Sequence, residues 1–409
     1  MTQFRALPVW RGDAFLLRSQ RGTYLFDGGD LAGGLPRMLR ERRVGNLRAA
    51  VCTFPSPDRL GGILELLADG YPVRECWLPA RLGVLEGMAR SFNGDWPGWF
   101  SLFNAPVPRD FRPPEPTVSD SRVGAAMLMT LAAAGCPGEP LPVPSAGPEA
   151  CVAELFEGLV LRAAARRGER GAARALQRLG KDLSKAGGFR EQALLCCSLL
   201  LDHAGAGRAG DADARVVKGL TLAAMTAVLT TGTPRVRYFR RSHGPQYHLI
   251  PRHPVMCLNG TETDLREPAP PADPEHLYRE AGKLFGNGRG LVFQHGDGRC
   301  GTLFCSNSRL LFAGTENGIP LRRPTVITAP GQGAVSLEEA YARIRSDAPE
   351  KDFWVRAHYS HARKVSEAYK QLPNRFCLSN PAFRSMQEVV LEFDGDRWHR
   401  RAGKFCTCK

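Results

Sequence analysis

Thr53-Phe54-Pro55-Ser56-Pro57-Asp58-Arg59-Leu60-Gly61-Gly62 is the stretch on which the reading of this chain turns. The run before it, Ala49-Ala50-Val51-Cys52-Thr53, has the length and apolar character of a buried strand. The run after it, Leu60–Ala68, repeats leucine at helical spacing. Gly61-Gly62 permit a sharp turn and a close approach of helix to strand. The stretch therefore reads as strand, loop, helix.

Working outward, residues 5–29 alternate short apolar runs with glycine-containing turns, the pattern of a β-meander. A helix is expected over 31–43, with Leu35, Met38 and Leu39 on one face, and a strand over Glu75–Leu78. This order is that of an α/β protein with helices packed on a sheet. Residues 105–120 are rich in proline. Four alanine- and leucine-rich helices follow, at Glu154–Arg167, Gly171–Ser184, Glu191–His203 and Ala214–Leu229. Strands return at Val236–Arg240 and Tyr247–Ile250, before a proline-rich linker at 267–274. Gly290–His295, Cys300–Cys305 and Arg309–Ala313 read as three antiparallel strands joined by Gly-Asp-Gly and Ser-Asn-Ser turns. Thr325–Thr328 is a further strand, Gly331–Ala334 a loop, Leu337–Ser346 a helix and Phe353–Arg356 a strand.

The bulk properties fit a globular chain. An apolar fraction of 43% over 409 residues allows a sizeable core without disulfides. Twelve cysteines, several in apolar runs such as Cys52, Cys196 and Cys197, point to reduced buried thiols and a cytoplasmic location. The N-terminal residues lack a basic region followed by an apolar segment, so no signal peptide is expected. No window approaches the length of an apolar membrane span. The formal charge of +14 suits a soluble protein and is compatible with an acidic or nucleic-acid partner.

Four motifs together resemble the metallo-β-lactamase fold, in the branch that includes bacterial competence-type domains. Val9-Trp10-Arg11-Gly12-Asp13-Ala14 and Leu25-Phe26-Asp27-Gly28-Gly29 resemble its opening, where a Gly-Asp turn joins two strands and a strand ends in Asp-Gly-Gly. Thr53–Gly62 aligns without a gap on the loop T-H-x-H-x-D-H-x-G-G. Leu310–Thr315 resembles the strand ending L-x-T-G-D, and Thr328–Ala334 the loop A-P-H-H-G-S. The resemblance implies an αββα sandwich with a helical insertion. Its halves would be 1–114 and 231–350, the insertion 115–230 and a C-terminal extension 351–409.

In that family, histidines and carboxylates at the strand ends bind divalent metal, which converts water to hydroxide. Here Phe54, Ser56 and Arg59 stand at the histidine positions of the loop, and only Asp58 is retained. Thr315 replaces the bridging carboxylate, and Gln332 or Gly331 a histidine of the late loop. Phe54 has no lone pair, and Arg59 is always charged. At an effective dielectric of about 20 and about 4 Å, a unit charge facing a dication is repelled by about 8 kcal/mol. The resemblance thus implies a pseudoenzyme with no catalytic residue, metal or cofactor. Asp58 and Arg59 are expected to pair with each other or to hold loop backbone groups. Relatives of this branch occur in bacterial anti-phage systems beside proteases and nucleotide-driven switch proteins. A protein-binding scaffold or regulatory role is implied, with such a protein as partner.

Two alternatives remain open from the residues. One is a hydrolase or nuclease with a rearranged metal site drawn from Asp58, His295, His358 and His361. Against it, His358 and His361 also read as a polar surface patch beside Arg363 and Lys364. The other is a nucleic-acid binder using Arg237-Tyr238-Phe239-Arg240-Arg241 or Arg166–Arg170. Alternation along 236–240 already explains its apolar residues as core. Cys406 and Cys408, with Cys377 upstream, offer a metal or redox pair, although their spacing is C-x-C rather than C-x2-C. A reduced tail is the plainer reading.

Overall fold

The computed structural model describes residues 1–31, 34–90, 235–242, 247–265, 290–312, 318–357, 365–380 and 385–406, with isolated positions between 219 and 233 and at 284. The expected helical insertion and proline-rich segments lie almost wholly outside these residues, as do Thr315, His358, His361 and Cys408.

The chain is α/β, with two large mixed sheets. It opens with a meander, β1 (Thr2–Ala6), β2 (Phe15–Ser19) and β3 (Gly22–Phe26). Helix α1 (Leu35–Glu41) leads to β4 (Ala49–Val51), α2 (Pro57–Ala68), β5 (Cys76–Pro79) and α3 (Ala80–Arg90). The next strands are β6 (Val236–Arg241), β7 (His248–Leu249), β8 (Val255–Cys257) and β9 (Gly260–Thr263). Then come β10 (Phe293–Gly296), β11 (Gly301–Phe304), β12 (Ile319–Leu321) and β13 (Thr325–Thr328). The last part holds β14 (Ile344–Ser346), β15 (Phe353–Arg356), α4 (Glu367–Lys370) and β16 (Arg375–Cys377). It ends with β17 (Ser379–Asn380), β18 (Ser385–Met386), β19 (Val389–Phe393) and β20 (Trp398–Ala402).

Nine strands form one sheet in the order β20-β19-β1-β2-β3-β4-β5-β6-β9, and seven form the other in the order β16-β15-β13-β11-β10-β8-β7. Alternation decides which side chains meet between them. Phe4, Phe15, Tyr24, Phe26 and Trp77 of the first sheet share one buried cluster with Phe293, Phe304, Val326, Val355 and Phe376 of the second. The Phe26 and Phe304 rings stack at 3.6 Å between centroids. The residues between, Leu16 and Leu25, are equally buried, so the other face of the first sheet is covered too. On the far face of the second sheet, Leu303, Ile327 and Trp354 pack under Tyr341 and Tyr369.

Three expectations change. Helix α2 begins at Pro57 rather than Leu60, with proline in its first turn, where its missing N–H costs nothing. Asp58 and Arg59 therefore belong to the helix and not to the loop. The third antiparallel strand, Arg309–Ala313, does not form over 309–312; Leu310 is buried with φ of 55°, a left-handed backbone incompatible with a ladder. The open side of β11 is taken instead by β13, in parallel. The segment Val335–Arg343 forms 3-10 turns, and Ile344–Ser346 is strand β14 rather than the end of a helix. The residues after 350 contribute to both sheets, since β15 pairs β13 and β19 pairs β1.

Candidate functional site

The carboxyl ends of parallel strands converge at one end of the two sheets. Asp27 follows β3, Thr53 follows β4, Asn307 follows β11, and Gln332 lies in a 3-10 turn after β13. In α/β sheets, this is where ligands and catalytic groups gather. The first turn of α2 points Arg59 into the same place.

Arg59 is 1% exposed. Its Nη1 donates to Asp27 Oδ2 at 2.7 Å and to Thr53 Oγ1 at 3.3 Å. Its Nη2 donates to Asn307 Oδ1 at 3.0 Å and lies 2.5 Å from Asp13 Oδ2. One guanidinium thus joins the β1–β2 turn, the end of β3, the end of β4 and the end of β11. The expected Asp58–Arg59 pairing is corrected: Arg59 makes its ion pairs with Asp13 and Asp27. Asp58 instead accepts a hydrogen bond from the Ser56 hydroxyl. It also sits in the first turn of α2, where a carboxylate is favoured by the helix dipole.

Asp27 is saturated. It accepts from the Thr53 N–H at 2.7 Å and the Thr53 hydroxyl at 2.6 Å as well as from Arg59. Because Thr53 spends its one hydroxyl hydrogen there, the 2.7 Å contact with Ser306 Oγ is donated by Ser306. Asp13 is less well served: its Oδ1 has no hydrogen-bond partner among the described residues. Burial pushes the Asp13 carboxyl up to about 7, opposed by Arg59 and reinforced by the charges of Asp27 and Asp58. Burial also raises Asp27, again against the pull of Arg59. The carboxylates in turn hold Arg59 above its ordinary range, against desolvation.

A pH dependence follows. Below about pH 7 the folded chain favours a proton on Asp13, so its ion pair with Arg59 is fully formed only above that pH, whereas the unfolded chain keeps the proton only below about pH 4. This group stabilises the fold fully below the unfolded value, and the contribution fades as pH rises through about 7. Asp13→Asn cannot titrate. Urea midpoints compared between pH 4 and 8 should therefore fall less steeply with rising pH in the variant. Parallel profiles would show that Asp13 does not titrate in this window.

The backbone around the site is held in unusual conformations. Asp27, Ser306 and Gln332 have φ of 58°, 53° and 60°, three of the seven non-glycine residues with positive φ among those described. Such strain gathers where the surrounding structure fixes side-chain direction for a purpose. The fixing bonds are present. Gly331 N–H donates to Ser306 O at 2.7 Å, and the buried Arg356 donates from Nε to Gln332 O at 2.7 Å. Gly28 N–H donates to Arg59 O at 2.7 Å.

Phe54 is buried. It helps line a cavity of about 530 Å³ together with Pro55, Arg81, Phe239 and Arg240. Ser56 occupies the N-cap position of α2, and the Gln332 side chain acts on Asp13. Thr315 lies outside the described residues, and Asn307, read from sequence as a turn residue, contacts the guanidinium in this site.

The chain matches no family model and no curated protein.

The chemistry available here is narrow. Among the described residues, no group of three or more histidine, cysteine or acidic side chains is arranged to hold a metal ion. His295, a candidate for a rearranged site, is fully buried on β10 opposite Thr302. Asn307 lies past the other end of β11, so His295 cannot join Asp58. Burial lowers its pKa to about 4, which keeps the ring neutral. The basic stretch 237–241 is also partly committed. Arg237 is buried, with Nε 2.8 Å from Glu75 and Nη1 2.7 Å from Glu262, and Phe239 is in the core. Neither is available to contact phosphates or stack bases. Among the described residues, no helix is long and apolar enough to cross a membrane.

Proposed function

We propose that this chain is a catalytically inactive member of the metallo-β-lactamase fold, an αββα sandwich that serves as a protein-binding scaffold or regulatory subunit of a bacterial defence system. The observation that carries the reading is the Arg59 guanidinium, buried between Asp13 and Asp27 at the strand ends. In the loop T-H-x-H-x-D-H-x-G-G, Arg59 stands at a ligand position. Its side chain supplies the positive charge that a metal ion would otherwise bring to those carboxylates. The remaining neighbours are hydroxyl and amide groups, which are weak donors to a transition metal.

One part of the alignment has a second candidate. The pattern L-x-T-G-D can be set on Leu303-Phe304-Cys305-Ser306-Asn307, at the end of β11, because Asn307 meets Arg59 there. The bridging carboxylate is then an asparagine, which still accepts a hydrogen bond from Arg59 but carries no charge.

Loops that build the site also carry exposed apolar side chains. Trp10 precedes Asp13, Leu311 follows Asn307 and Val335 follows Gln332; they are 63%, 42% and 47% exposed. Large apolar groups on the loops of one end suit contact with a protein. The proteases and nucleotide-driven switch proteins associated with this branch are the partners to look for.

Two measurements address the two halves of the reading. Elemental analysis of protein produced with zinc and manganese should find no stoichiometric metal; a full equivalent of either would overturn the pseudoenzyme assignment. Tagged chain expressed in its native host should retain a stoichiometric protein that is lost on combining Trp10→Ser, Leu311→Ser and Val335→Ser, with the melting temperature unchanged. Retention undiminished by the triple change, or no partner at all, would remove this surface from the proposal.

A further inference from the structure

We propose that Cys377 and Cys406 form a disulfide that closes one edge of the two-sheet stack. Cys377 ends β16, the edge strand of the seven-stranded sheet, and Cys406 follows β20, the edge strand of the nine-stranded sheet. The chain after β20 leaves its own sheet and reaches across. Phe376 and Phe405 form an antiparallel bridge, and Cys406 N–H donates to Arg375 O at 2.7 Å. That register sets Cys406 opposite Arg375. Cys377, two residues along β16 from Arg375, then projects from the same face as Cys406.

The sulfurs lie 2.6 Å apart, and both residues are buried. Two thiolates on one tetrahedral zinc, each about 2.3 Å from the ion, would be about 3.8 Å apart. The observed approach is closer to a covalent pair than to two ligands of a shared metal. The Arg356 guanidinium is 3.9 Å from Cys377 Sγ.

The oxidant is an external disulfide such as oxidised glutathione. One cysteine loses its proton, and its thiolate attacks a sulfur of that disulfide, releasing one glutathione thiolate and forming a mixed disulfide. The second cysteine, deprotonated in turn, attacks the protein sulfur of the mixed disulfide and expels the second glutathione thiolate. Two electrons and two protons leave the cysteine pair, and the glutathione disulfide becomes two thiols. Access comes from the tail, since Phe405 is 52% exposed and pairs with β16 through an isolated bridge to Phe376 and a ring contact with it rather than a continuous ladder. Short, weakly paired segments open locally at low cost.

The bond would join the carrier of β20 to the second sheet and enclose the β19–β20 hairpin in a covalent loop. Purified full-length chain is incubated with oxidised glutathione, alkylated under denaturing conditions and mapped by mass spectrometry of its peptides. The expected result is a Cys377–Cys406 cross-link, a loss of two hydrogens, and a melting temperature several degrees above that of the reduced protein. Cys406→Ser should lose both the cross-link and the rise. Because the map is made on the unaltered chain, a variant that misfolds does not decide the matter. Full alkylation of both cysteines after oxidation would overturn the proposal. So would a bond from either to Cys408, or a stoichiometric zinc that protects both thiols.

Discussion

Arg59→Met is expected to lower folding stability by about 3–5 kcal/mol, the range for removing one partner of a buried ion pair. The substitution keeps much of the side-chain volume and takes away the charge. Asp13 and Asp27 would then share a dry site with no cation, and Asn307 Oδ1 would lose its donor. Asp27 keeps its two bonds from Thr53; Asp13 keeps the Gln332 side chain, while its Oδ1 already lacks a partner among the described residues. Both carboxyls can escape part of the penalty by taking a proton, so the loss should shrink as pH is lowered. Combining Arg59→Met with Asp13→Asn and Asp27→Asn removes the unpaired charges, and most of the stability should return. Urea unfolding with an unchanged m-value is the appropriate measure. A single-variant loss below about 1 kcal/mol would mean that the guanidinium is not the counter-charge of this site.

The second large effect lies in the backbone beneath it. Gly62→Ala should cost about 3 kcal/mol or more, at the upper end for overpacking, because the new methyl meets backbone rather than a movable side chain. A Cβ on Gly62 would stand 2.0 Å from Gly28 O and 2.9 Å from Leu35 Cδ2. Neither side can retreat easily. Gly62 N–H is bonded to Gly29 O at 3.1 Å, and Gly28 N–H to Arg59 O at 2.7 Å. The gain in helix propensity of about 1 kcal/mol is too small to offset this. Gly45→Ala is the control, since nothing lies within 4 Å of its would-be Cβ. It should be neutral or slightly stabilising. Equal melting temperatures for the two variants would show that α2 does not approach the β3 loop this closely.

Both expected effects rest on one close approach of helix to strand. Gly61-Gly62 bring α2 against the end of β3, and the same approach delivers Arg59 to Asp27. Sequence made the glycine requirement readable, along with the meander and the strand before Thr53, because each is a local pattern. Asp13 and Asp27 were readable as motif residues. Their role as partners of Arg59 was not, since the ion pair depends on where α2 starts and proline at 57 moved that start. Asn307 was hidden for another reason. Ser306-Asn307-Ser308 has the composition of any polar turn, and only the packing of the two sheets, which sets Ser306 against Thr53, brings it to the guanidinium. The run Arg309–Ala313 misled in the opposite sense: apolar residues suggested a strand, and Leu310 and Phe312 are indeed buried, but Leu310 has a left-handed backbone. Periodicity carries no information about φ.

A cation that belongs to a side chain has no dissociation constant. Dilution does not release it, a chelator has nothing to extract, and scarcity of trace elements leaves it in place. Arg59 also keeps its proton at every pH a cell experiences. The strand ends that it gathers are therefore held together from synthesis onward, whatever the surrounding ionic supply.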